Sequence, residues 1–116
     1  MDNTEIKYDL IVTIVNKGFA EEIIKASKKA GAEGGTIMNG RGQGIHEKAK
    51  LFGISIEPEK DIVLTLIDRK ITDTVLTAIY EAAHLNEPST GVAFVLAVEK
   101  TAGICNELKG YINLDS

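Results

Sequence analysis

Between Asp61 and Ile67 the chain reads Asp-Ile-Val-Leu-Thr-Leu-Ile, rich in β-branched residues and apolar on both alternating sets. A run this short is a strand, and with no polar set it belongs inside a sheet, with neighbours on both sides and cover on its faces. The chain must therefore supply further strands and helices to pack on them. Asp68 follows where a helix cap belongs.

Two other segments have strand character. In Ile6 to Val15, Ile6, Tyr8, Leu10, Val12 and Ile14 form one alternating set, and Ile11, Thr13 and Val15 make the other partly apolar. In Val92 to Val98, bulky Val92, Phe94, Leu96 and Val98 alternate with Ala93, Val95 and Ala97. Helices separate these strands. Phe19, Ile23, Ala26 and Ala30 share a helical face with a possible start at Asn16, and Gly31 supplies a left-handed C-terminal cap after Lys28 and Lys29. Ile71, Val75, Ile79 and Ala82 form the stripe of a second helix. A shorter, glycine-diluted strand is expected between Glu33 and Arg41.

The resulting order, strand, helix, strand, strand, helix, strand, predicts an α+β fold of the ferredoxin-like βαββαβ kind. Its two helices lie on one face of a four-stranded, antiparallel-mixed sheet, and a long loop follows the second strand. Two helices cover one face only. Ile11, Val15, Val63, Ile67, Val95 and Ala97 are candidates for the uncovered face, which is apolar enough to predict burial by self-association.

At 116 residues and 44% hydrophobic, the chain is expected to form a single domain over 1–116, with a loop at about 43–59 and a C-terminal tail at about 100–116. A net charge of −4, 5% aromatic residues and no Trp argue against nucleic acid as a partner. One cysteine, Cys105, allows no intramolecular disulfide, and the start of the chain has no signal-peptide pattern, so a cytoplasmic protein is expected. No apolar run approaches the roughly 20 residues of a membrane span, so no direct membrane insertion is expected.

The functional signal is concentrated in Gly31 to Gly44, which holds six of the eleven glycines and sets Arg41 between Gly40 and Gly42. Glycines admit close backbone approach, and the arginine fork suits a carboxylate or phosphate. Turn-forming glycines and an arginine paired with a surface carboxylate such as Glu47 are the plainer alternative. His46-Glu47 resembles the start of a zinc-protease helix, but Lys50 stands where the second histidine is required. Asp61, Asp68 and Asp73 lack the convergent spacing of an acid-base pair. With no nucleophile and base, phosphate loop or ligand cluster, neither an enzyme nor a metal site is expected.

With this order in place, the chain resembles the PII-type nitrogen-regulatory signal proteins over roughly Ile6 to Ile104. The matching pieces are Gly34-Gly35-Thr36, Arg41-Gly42-Gln43-Gly44, the helical Ile71-Thr72-Asp73-Thr74-Val75, and Thr90-Gly91-Val92 running into the last strand. The resemblance implies a cytoplasmic homotrimer that binds a small anionic effector between subunits, an adenine nucleotide or another small anion. It also implies regulation of a protein target, a transporter or an enzyme, through the loop. Carried over by position, the effector-binding set is Gly35, Thr36, Arg41, Gly42, Gly44, Lys60 and Gly91, and the partner-loop set is Ile45, His46, Lys48, Phe52 and Ile54.

The departures lie at the nucleotide. Val92 replaces the family's phosphate-binding lysine, Gly103 and Cys105 replace two arginines, and Leu64 replaces a glutamate. Each lost charge-assisted hydrogen bond is worth about 1.5–3 kcal/mol. The loop also has no tyrosine, which excludes uridylylation by the family's usual route. An amino-acid-binding module of the ACT type, which shares the element order, is the alternative reading.

Overall fold

The computed structural model describes residues 5–43, 50–51, 54–55, 57–103, 105–106 and 111–112. Strand β1 (Tyr8–Asn16) leads to helix α1 (Ala20–Lys29) and strand β2 (Thr36–Arg41). Two short strands, β3 (Lys50–Leu51) and β4 (Ile54–Ser55), pair within the loop region. Strand β5 (Glu59–Asp68), a 3-10 turn (Arg69–Ile71), helix α2 (Thr72–Ala82) and strand β6 (Gly91–Val98) complete the domain. Beyond them, β7 (Cys105–Asn106) pairs with β8 (Tyr111–Ile112).

The main sheet has the order β2-β5-β1-β6, and each of its pairings is antiparallel. The architecture is the expected ferredoxin-like α+β arrangement, with an antiparallel sheet in place of a mixed one. The apolar run that demanded an interior position lies in β5, hydrogen-bonded to β1 on one side and β2 on the other.

Burial alternates strictly along β1: Asp9, Ile11, Thr13 and Val15 are buried, and the residues between them only half-buried. The buried set joins Val63 and Ile67 of β5, Ile23 of α1, and Val75 and Ile79 of α2 in one core. This corrects the expected open face. Ile11, Val15, Val63 and Ile67 lie under the helices, because both alternating sets are apolar and only strand register decides which set meets them. The face away from the helices carries Leu10, Val12, Ile14, Ile62 and Leu64 with exposed Met38, Leu66, Phe94 and Leu96.

The helix ends follow local chemistry. Ala32 N–H donates to the Ser27 carbonyl and Gly31 N–H to the Lys28 carbonyl, a Schellman ending in which Gly31 has φ +119°. At the end of α2 the same pattern joins Leu85 to Tyr80 and His84 to Glu81, with His84 at φ +55°. Asp68 accepts from the Lys70 amide at 2.9 Å, as a cap should. Asn16 does not cap α1. The helix begins at Ala20, so Phe19 occupies that position without a side-chain bond, and the Asn16 side chain is engaged elsewhere.

Candidate functional site

The root of the loop lies at one end of the sheet. Here β2 and β5 run to Arg41 and Glu59, which are register partners. One residue outward the Gly42 amide donates to the Pro58 carbonyl at 3.1 Å, closing the two sides of the excursion. Gly42 thus places its amide in the loop closure. The exposed Arg41 guanidinium makes no hydrogen bond or ion pair with any described residue.

Lys60 occupies the neighbouring register position, opposite Gly40 on β2 and Asn16 on β1. Side chains alternate along a strand, so Lys60 lies on the open face with Ile62 and Leu64, whereas Glu59 and Arg41 lie on the helix side. Lys60 is 8% exposed, and its Nζ donates to Asn16 Oδ1 at 2.8 Å. A side-chain amide is a suitable neutral acceptor for an ammonium withdrawn from water. Asn16 Nδ2 then donates to the Ser89 carbonyl at 3.0 Å, so β5 is tied through β1 to the turn before β6.

That turn is held from both sides. Ser89 has φ +66°, and the Thr90 hydroxyl lies 2.8 Å from the His84 carbonyl and 2.9 Å from that of Glu87. Gly91 closes it at φ +150°, against Ile14 and Val15 of β1. On the helix side, the Gly18 amide donates to Asp61 Oδ2 at 2.9 Å, and Lys17 Nζ lies 2.9 Å from Glu59 Oε1. The hydrogen bond that Lys17 donates to Glu59, and then the charge of Glu59, raises the Lys17 ammonium above its ordinary value of 10.5.

The expected effector residues are therefore distributed. Arg41, Gly42, Lys60 and Gly91 lie at the loop-root end. Gly91 nevertheless stands three strands from β2, roughly 14 Å at ordinary strand spacing. Gly35 and Thr36 are at the other end of β2, about 17 Å along the strand from Arg41. There Leu10, Gly34, Leu64 and Leu66 join them around an open cleft of about 420 Å³ on the uncovered face. Gly44, Ile45, His46, Lys48 and Phe52 lie outside the described residues, and Ile54 is placed only as backbone in β4.

Sequence reasoning read Asn16 only as a helix start and did not single out Lys17, Glu59 or Ser89. A signal existed in Asn16-Lys-Gly18, polar residues ending an apolar strand, and in the alternating charges Glu59-Lys-Asp61 beginning another. Among the described residues no three or more His, Cys, Asp or Glu side chains gather as a metal site would require, and no helix is long and apolar enough to cross a membrane.

The family model described as nitrogen regulatory protein P-II matches residues 8–107. A search of curated proteins returns no match. Among solved structures the chain is similar to Arabidopsis thaliana PII bound to citrate, with a TM-score of 0.69 and 21% identity over 97% of this chain and 94% of that one. At that identity the structural likeness speaks for the fold.

Proposed function

The chain belongs to the nitrogen regulatory protein P-II family, and from that premise we propose that it binds a small anion at the loop root, between neighbouring copies, and signals its occupancy to a protein target. The observation that carries this reading is Arg41, an exposed guanidinium with no described partner, set beside the Gly42–Pro58 closure. The solved plant PII is described as bound to citrate, a small polycarboxylate, which is the class of ligand an arginine fork suits. The family match favours this reading over an ACT-type module.

The spacing within one chain argues for a shared site. Arg41 and Gly91 are too far apart for one small ligand, and the Thr36 cleft opens on the apolar face that wants cover. A homotrimer that buries this face would bring such separated elements from different copies to one seam. An adenine nucleotide is the more demanding ligand, because Val92 presents no cation at the turn after Gly91. Target contact through Ile45, His46, Lys48, Phe52 and Ile54 is carried by the resemblance, as is a place in nitrogen regulation.

Calorimetry with citrate, 2-oxoglutarate, bicarbonate, ADP and ATP tests the reading. At least one anion is expected to bind, and Arg41→Ala should weaken it by about ten- to a hundredfold, the worth of one charge-assisted hydrogen bond. Unchanged affinity in Arg41→Ala would reject the site.

A further inference from the structure

Arg41, Glu59 and Lys17 form a row across the loop-root end of the sheet, with charges plus, minus, plus. Arg41 and Glu59 are direct partners between β2 and β5. Lys17 follows Asn16, the register partner of Lys60, and its amide donates to the Glu59 carbonyl at 3.3 Å, which places it opposite Glu59 on the other side. Directly opposed residues in an antiparallel pair have Cβ atoms about 4.5–5.5 Å apart, within reach of an ion pair. Glu59 can therefore serve either cation. It serves Lys17, at 2.9 Å, and makes no ion pair with Arg41.

We propose that Lys17 is a positioning residue for the anion site: by holding Glu59, it keeps the Arg41 guanidinium free for an external carboxylate or phosphate. The inference rests on the anion reading of Arg41 given above. Among the described residues Glu59 is a direct internal competitor for Arg41, since it stands across the ladder and carries the ligand's own functional group. Its engagement with Lys17 is local, between residues 64% and 61% exposed, and neither side chain is needed for the core. The arrangement also lets partner choice by Glu59 tune the site without moving a strand.

The relay has a thermodynamic signature that simple charge addition lacks. If Lys17 acts through Glu59, removing its charge matters only while Glu59 can turn to Arg41. If Lys17 merely adds positive potential, its removal matters equally in either background.

The test is a double-mutant cycle with Lys17→Met and Glu59→Gln, read by calorimetry with citrate and with tripolyphosphate on the full chain, together with Arg41→Ala. For a probe that binds, Lys17→Met should weaken binding about three- to fivefold, in line with an exposed ion pair. In the Glu59→Gln background the same change should have no effect, and the double variant should regain at least wild-type affinity. An equal Lys17→Met effect in both backgrounds overturns the relay while leaving the Arg41 site standing, provided Arg41→Ala weakens binding about ten- to a hundredfold, as expected of it. Binding that ignores Arg41→Ala, or no binding of either probe, overturns both. Circular dichroism melts of each variant separate a loss of fold from a loss of affinity.

Discussion

A Cβ on Gly91 would collide with the carbonyl oxygen of Ile14 and stand 3.0 Å from Val15 Cγ1. Because Gly91 also has φ +150°, the start of β6 is closed to other residues by backbone angle and by contact alike. Gly91→Ala is expected to destabilise the protein by about 2–4 kcal/mol, combining strain with overpacking. Urea unfolding within 0.5 kcal/mol of wild type, taken as about the noise of such a comparison, would mean that the β1–β6 end can spread.

Thr13 and Thr65 are fully buried beneath the helices, and neither hydroxyl has a hydrogen-bond partner among the described residues. Valine fills nearly the same space and brings no polar group to satisfy. Thr13→Val and Thr65→Val should each stabilise the fold by about 1 kcal/mol, since an orphaned buried hydroxyl costs on that order. Loss of stability in both variants would point to a buried water that serves them.

Asp9 joins the first strand to the start of α2. Its carboxylate accepts from Arg69 Nε at 2.9 Å and from the Thr72 hydroxyl at 2.8 Å, and Arg69 also reaches the Tyr8 carbonyl. Asp9→Ala removes the acceptor and leaves the buried Thr72 hydroxyl only the Asp68 carbonyl at 3.5 Å, a loss of about 2–4 kcal/mol. Denaturant melts measure it, and a change below about 1 kcal/mol would show that water replaces the carboxylate.

The open sheet face predicts an assembly. Phe94 and Leu66 lie on it with 42% of their surface exposed, and Leu96 with 51%. Phe94→Glu would place a charge on this surface, so light scattering should report a smaller species than wild type. A wild-type monomer at micromolar concentration would end the trimer proposal.

Lys17 titrates above its ordinary value of 10.5 because of Glu59. A raised folded-state value means that the pair's contribution is present below 10.5 and lost as pH rises through the higher folded value. NMR titration of the Lys17 side chain should show the raised value in wild type and a lower one in Glu59→Gln. Identical titrations would remove the ion pair from solution.

Much of the fold was legible in local sequence. The run Asp61 to Ile67 led directly to an interior strand, and Gly31 and Asp68 marked helix boundaries with the bonds found there. Asn16 misled, because its value as a helix cap was local while its actual partners, Lys60 and Ser89, are 44 and 73 residues away. The same distance effect hid Lys17 and Glu59, ordinary surface charges until β1 and β5 align.

Element order and family resemblance came from the sequence alone, because period and turn chemistry are properties of neighbouring residues. The open face came from register. Both alternating sets of β1 and β5 are apolar, so sequence period could not choose between Ile11 and Val12, or between Val63 and Leu64, for the helix side. Tertiary pairing chose, and in doing so put Arg41 and Lys60 on opposite faces although Lys60 lies one register step from the partner of Arg41. A one-residue step reverses every side chain in a strand, and that parity becomes definite only when the strands meet.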